Sequence, residues 1–369
     1  MSQNKNGIDK IFLGIVIVLL VFGFIIFISA SMGMLAKDSI QFTSVVSKQI
    51  FFGIIFGLIA CFLFTKIDYK YYKKHAFFLF LLTIILMSLV FIPGVGTNAN
   101  TFANRWISIF GFTLQPVAVF NIGFIIYWSA WLSSVKEKVS TIKYGFLPLL
   151  ILMSIAGLLL LNQPDTDSFL ILSATATLMY LVAGGKKRYV GLLVVLGFLC
   201  IFVLALNRPY IMSRIETFMN PSENSLTSGY QIQQSLIAVG SGQVFGKGLG
   251  QSVQKYKFLP ESISDTIFAV LAEEGGFIWC VLIIVVFLLF VFRGFRIAIR
   301  SPDIFGGLLV VGIVILTILQ SFINIASVLG IIPFSGLPLA FFSQGGTAML
   351  MVLVEIGIIL NISKFEKSY

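Results

Sequence analysis

Ten stretches of this chain are apolar for long enough to cross a bilayer, or nearly so, and this repetition constrains the fold more than any single motif. They run roughly 11–32, 46–65, 76–92, 117–134, 144–161, 168–184, 189–207, 265–292, 305–329 and 340–362. About 20 apolar residues span the hydrocarbon, and the shorter stretches are matched by local thinning or by flanking residues that snorkel. With 58% hydrophobic and 11% charged residues, a water-soluble globule could not hide this much apolar surface. The expectation is an all-α polytopic membrane protein of about ten transmembrane helices, with residues 1–369 forming one integral membrane domain. Ser29-Ala30-Ser31 has the look of a cleavage site, but the run before it is longer than a signal-peptide core of roughly 7–15 residues. The first helix is therefore read as retained.

Charge orients the bundle. If the amino terminus is cytoplasmic, 17 of the 25 Lys and Arg residues fall on that side, in short basic loops such as 66–74 and 186–188. The positive-inside rule then places both termini in the cytoplasm. The net charge of +10 is mostly this topology, and a nucleic-acid partner has no other support. The longest extramembrane segment, 208–264, is a large outer loop between helices 7 and 8, and a second outer loop covers 93–116. Cys61, Cys200 and Cys280 all lie in apolar runs, which argues against a disulfide framework. With His75 as the only histidine, they make no zinc site of familiar spacing.

Polar residues in apolar runs are costly and direct attention to function. Glu273, Glu274 and Glu355 lie within spans, and Asp265 stands where the outer loop enters the eighth. Ser264 and Asp265 are both good helix caps, and in a continuous helix only Glu273 would share a face with Asp265. A buried salt bridge or a protonated structural acid is the plain account of the three glutamates, and a proton relay is the functional one. Gln320 and Asn324 stand four apart on the ninth span, spaced for interhelical hydrogen bonds. In the large loop, Ile232, Leu236 and Val239 recur at helical spacing, which predicts an amphipathic helix on the membrane surface. Gly240–Gly250 places five glycines around Lys247. This is either a flexible turn or a backbone cradle for phosphate, without P-loop spacing.

Several motifs in order resemble the SEDS family (shape, elongation, division and sporulation), the FtsW/RodA group. They are Ser29-Ala30-Ser31, Arg105-Trp106-Ile107, Gln115-Pro116 and Gln163-Pro164-Asp165, then GYQIQQSLIAVGSG from Gly229. FGKGLG, the LPE ending at Glu261, Ser264-Asp265 and IFAVLAEEGG follow, then Gly336-Leu337-Pro338-Leu339 and Ser343-Gln344-Gly345-Gly346. Gly250–Lys255 looks more like the FtsW branch. The resemblance implies a peptidoglycan glycosyltransferase in the bacterial cytoplasmic membrane. It would polymerise lipid II at the outer face in cell division, beside a class B penicillin-binding protein transpeptidase and other divisome membrane proteins.

It also implies that Asp265 is the catalytic base. The motif residues Gln115, Asp165, Gln234, Ser235, Glu261 and Ser343 are expected at the substrate, with Arg105, Arg214 and Lys247 as cations for its pyrophosphate. No resident metal is expected, and a divalent cation stays open. The chain departs from the family where Ser-Glu and a later lysine are usual, with Val117, Ala118 and Asn121 instead. It departs again where Leu-Gly-Thr-Ala is usual, with Thr166-Asp167-Ser168-Phe169. A lipid II flippase or transporter, and a catalytically weakened division scaffold, are the competing readings.

Overall fold

The computed structural model describes residues 7–36, 38–97, 105–109, 112–220 and 228–365. Eight helices among them are long and apolar enough to cross a membrane, and two shorter apolar helices, Ala76–Phe91 and Thr166–Val182, lie at the other two expected stretches. The spans start where short polar side chains take up orphan N–H groups. Asp9 accepts from Phe12 N at 2.8 Å and opens the first (Lys10–Leu35), Asp165 opens the sixth (Thr166–Val182), and Asp303 opens the ninth (Ile304–Val328). Asp9 also receives Arg293 from the eighth span (Ile267–Ile299). Its own N–H donates to Ser363 Oγ at 3.1 Å, so the first span begins on the face where the tenth (Gly346–Ser363) ends.

The ninth span is the most enclosed, packing against the fourth (Pro116–Val135), sixth, eighth and tenth. The second (Ser39–Lys66) runs along the tenth and widens into a π-turn at Gln49–Ile55. There the buried Gln49 accepts from Gly345 N at 3.0 Å and steadies the loop before the tenth span.

The helical fold carries one small sheet: Gly96–Thr97 (β1), Trp106–Ile109 (β2) and Phe112–Leu114 (β3) form an antiparallel meander between the third and fourth spans. Its signal was the alternation around Ile107, which is fully buried.

The loop helix turns its buried face to the helix bundle. It spans Ser228–Gly242 and packs on the eighth span through Ile232, Ser235 and Ala238, leaving Leu236 exposed. Small residues decide this face, since a Cβ on Gly242 would lie 2.0 Å from Ala272 O.

The glycine-rich turn is neither flexible slack nor a phosphate cradle. The eighth span breaks at Gly276 (φ 66°, ψ −167°), and residues 243–248 fill the break. Lys247 N and Gly248 N donate to Glu273 O and Glu274 O at 3.0 Å each, and Phe277 N donates to Gln243 O at 2.9 Å. A helix can break within a membrane protein only where such partners re-satisfy the freed backbone.

Gly276 occupies a backbone region reserved for glycine, and a Cβ there would lie 2.3 Å from Gly246 N. Gly276→Ala is expected to lose most of its monodisperse yield in detergent. A normal elution profile and melting temperature would contradict this account of the break.

Candidate active site

The chain between the loop helix and the eighth span delivers Asp265 in a turn, not as a cap. The helix proper begins at Ile267 with Thr266 at the cap position, because neighbouring polar groups bond backward. Thr266 Oγ1 donates to Pro260 O at 2.8 Å and Ser264 Oγ to Glu261 Oε2 at 2.8 Å. The Asp265 carboxylate is thereby left out of the helix's own bonding and lies against the last outer loop: a Cβ added to Gly336 would sit 3.5 Å from Asp265 Oδ2.

That loop is tied down from several directions. Asn324 Nδ2 donates to Asp265 O and Leu337 O, both at 2.7 Å, and Gln320 Nε2 donates to Pro338 O at 3.0 Å. The spacing of these two amides on the ninth span thus serves the loop rather than a neighbouring helix. Ser343 Oγ donates to Ser264 O at 2.6 Å and accepts from Leu339 N at 2.8 Å, so Ser343 braces the site and its hydroxyl is already engaged.

Around Asp265 stand Glu261, Asp167, Arg214 and Arg105. Burial pushes the Asp265 carboxyl up to about 7, helped by the negative charges of Glu261 and Asp167 and opposed by Arg214 and Arg105. Asp167 had no expected role. It pairs with Arg214 at 2.8 Å and accepts from Gly336 N at 3.3 Å, joining the sixth span, the outer helix Pro209–Met219 and the last loop. Its signal in the sequence was an acid in the first turn of a span, where the resemblance leads one to expect glycine.

Beside this cluster opens a cavity of about 70 Å³ that runs into the membrane, with Arg105, Gln115 and Asp165 at its mouth. Arg105 Nε donates to Gln163 O at 3.1 Å, and its Nη2 donates to Pro164 O. Asp165 is buried and its carboxyl is raised by that burial, with Arg105 opposing. Ala118 and Asn121 line the cavity, and so does Glu355 from the tenth span. An acid therefore reaches this space from a different helix than the resemblance led one to expect.

Gln234, Ser235 and Lys247 are not brought to this site. None of them lines the cavity or is among the neighbours that shift the Asp265 carboxyl. Ser235 is buried and donates to Gln231 O at 2.8 Å. Lys247 is held by Glu273 at 2.7 Å, and Glu273 also takes Ser252 Oγ at 2.5 Å. Next to it Lys255 pairs with Glu274 at 2.7 Å, both side chains wholly buried, with Ser29 Oγ donating to the same carboxylate at 2.7 Å. Lys247 is thus a lock on the loop, and Glu273 and Glu274 are structural ion pairs.

Fold and site together define a polytopic membrane protein that presents a shielded carboxylate, flanked by arginines, at one face of the bilayer. A family profile described as "Cell cycle protein", covering FtsW, RodA and SpoVE, matches residues 9–368. The chain belongs to this family. It is 36% identical over 370 residues to stage V sporulation protein E of Bacillus subtilis, covering 100% of both chains. It is 38% identical over 355 residues to a probable peptidoglycan glycosyltransferase FtsW of Geobacter metallireducens, covering 96% of this chain and 94% of that one.

Among solved structures, a chain of a peptidoglycan synthase complex matches with a TM-score of 0.79 at 22% identity, covering 96% of this chain and 97% of that one. The rod shape determining protein RodA of Thermus thermophilus matches at 0.71 and 22%, covering 98% of each. Both share the fold.

Proposed function

We propose that this chain is a peptidoglycan glycosyltransferase that joins lipid II units in cell division, with Asp265 as the base. The single observation that carries the assignment of the base is the setting of Asp265, a carboxylate at the membrane edge, free of the helix, beside two arginines. In the reaction, the 4-hydroxyl oxygen of the acceptor sugar bonds to the anomeric carbon of the donor. The donor's bond to pyrophosphate breaks, the hydroxyl proton passes to Asp265, and the lipid pyrophosphate departs. A base whose pKa lies near the working pH suits this step.

Arg105 and Arg214 are the cations nearest the base and are assigned to the departing pyrophosphate. Arg214 reaches it by exchanging the carboxylate of Asp167 for phosphate oxygens. Among the described residues no three acidic, His or Cys side chains converge as a metal site.

The site faces outward, with both termini in the cytoplasm, in keeping with the basic loops on the opposite side. A class B penicillin-binding protein is the expected partner, in keeping with the synthase complex whose chain shares this fold. A flippase working through a glutamate relay is disfavoured, since two of its three acids are locked in ion pairs.

Purified protein given labelled lipid II, with and without a cognate transpeptidase, tests the reading. Glycan strands are expected. Vesicles that translocate lipid II and form no polymer would favour transport instead.

The pH dependence follows from Asp265. It accepts a proton only when ionised, so kcat/KM is expected to rise with pH through about 7. The fold responds in the opposite sense: because the folded state holds this proton more tightly than the unfolded chain, stability from this group falls as pH rises from about 4 to 7. A pH–rate profile flat between about 5 and 8 would remove Asp265 from the role.

A further inference from the structure

The lower part of the cavity is built from three helix faces. Ala118 and Asn121 come from the fourth span, Thr317 and Gln320 from the ninth, and Met351, Val352 and Glu355 from the tenth. Ala118 and Asn121 are three apart, as are Thr317 and Gln320, and Met351 and Val352 stand four and three residues before Glu355, as one face of a helix requires. Glu355 lies nine residues past the start of its helix, about 14 Å along the axis at 1.5 Å per residue. It is 5% exposed, and among the described residues nothing hydrogen-bonds or ion-pairs to its carboxyl. Asn121 Oδ1 is also buried and receives no donor.

The remaining polar groups do not supply one. Thr317 spends its hydroxyl proton on Ile313 O at 2.9 Å, and Gln320 donates to Pro338 O at 3.0 Å. Neither of these bonds reaches Glu355. No titratable side chain other than Glu355 lines this part among the described residues; Arg105 and Asp165 stand at the mouth. A carboxylate and an amide oxygen left without donors at this depth are both costly. A carboxylic acid proton satisfies one acceptor, whereas a small cation satisfies several oxygens together.

We infer that the floor of this cavity, with Glu355 and the oxygens of Asn121, Thr317 and Gln320, is a binding site for a monovalent alkali cation, sodium in particular. Hard cations take oxygen ligands, and a single carboxylate balances a single charge. Carbonyl and carboxylate fields of this kind select among the alkali ions. The route in is from the loop-bearing face. The site stands independently of the chemistry at Asp265.

A hydrophobic carbodiimide tests it, because the reagent modifies protonated carboxyls in apolar surroundings and a bound cation displaces that proton. Full-length protein in detergent is treated in about 100 mM NaCl or in N-methylglucamine chloride, and modification at Glu355 is read by peptide mass spectrometry; about tenfold slower labelling in sodium is expected from mass action. Asn121→Ala should raise the sodium concentration needed for protection. In parallel, sodium should raise the melting temperature of the parent and not that of Glu355→Gln. Equal labelling rates in the two salts would show a proton-only site and overturn the inference. So would absence of labelling together with equal melting temperatures.

Discussion

Asp265→Asn is expected to lower lipid II polymerisation by about 10²–10⁴-fold, the range over which a positioned base contributes. The substitution keeps the shape of the side chain and its place against Gly336, and removes only the ability to take a proton. It should not unfold the protein. Burial and the acids Glu261 and Asp167 make the charged form of Asp265 unfavourable in the folded state, so a neutral amide is expected to leave the melting temperature unchanged or higher at pH 8. Inactivity with retained stability separates a catalytic role from a structural one. Polymerisation at the parent rate, measured on labelled lipid II with purified variant, would reject Asp265 as base.

Glu274→Gln is expected to destabilise the fold by about 3–5 kcal/mol, because it leaves the ammonium of Lys255 buried without its countercharge. Both side chains are fully buried, and their pairing joins the first span, through Ser29, to the glycine-rich loop and the eighth span. Lys255→Met alone should cost a similar amount by stranding the carboxylate. The double variant Lys255→Met with Glu274→Leu should recover much of the loss, since an apolar replacement of a buried pair is often close to neutral. Thermal unfolding of the four proteins in one detergent reads this cycle. Single variants that melt within a degree of the parent would show that the pair is not buried as described.

These two carboxylates show why sequence carries some parts of this protein and not others. The position of Asp265 was legible, because the motifs around it are contiguous and its place at a span boundary follows from local hydrophobicity. Its freedom from capping was not legible. Thr266 and Ser264 could each have been capped or capping until their hydroxyls were seen to bond back to Pro260 and Glu261. Glu273 and Glu274 were visible as costly residues with two opposed explanations, and only the return of the 247–255 segment decided for ion pairs. Lys247 looked free in a mobile turn because nothing local shows that the eighth span breaks at Gly276 and takes this loop into the gap.

The sequence by itself determined that the chain is a helical, multi-pass membrane protein. Apolar length is a local, one-dimensional property, and the structure has a long apolar helix at eight of the expected stretches and a shorter one at the other two. Tertiary structure alone decided which charges are spent and which are left over. Asp167 draws Arg214 toward Asp265, Lys247 and Lys255 are spent on glutamates, and Glu355 reaches the cavity beside Asn121 with no cation of the described chain to meet it. Pairing depends on which distant segments the packing of the helices brings together, and span length and loop charge do not encode that.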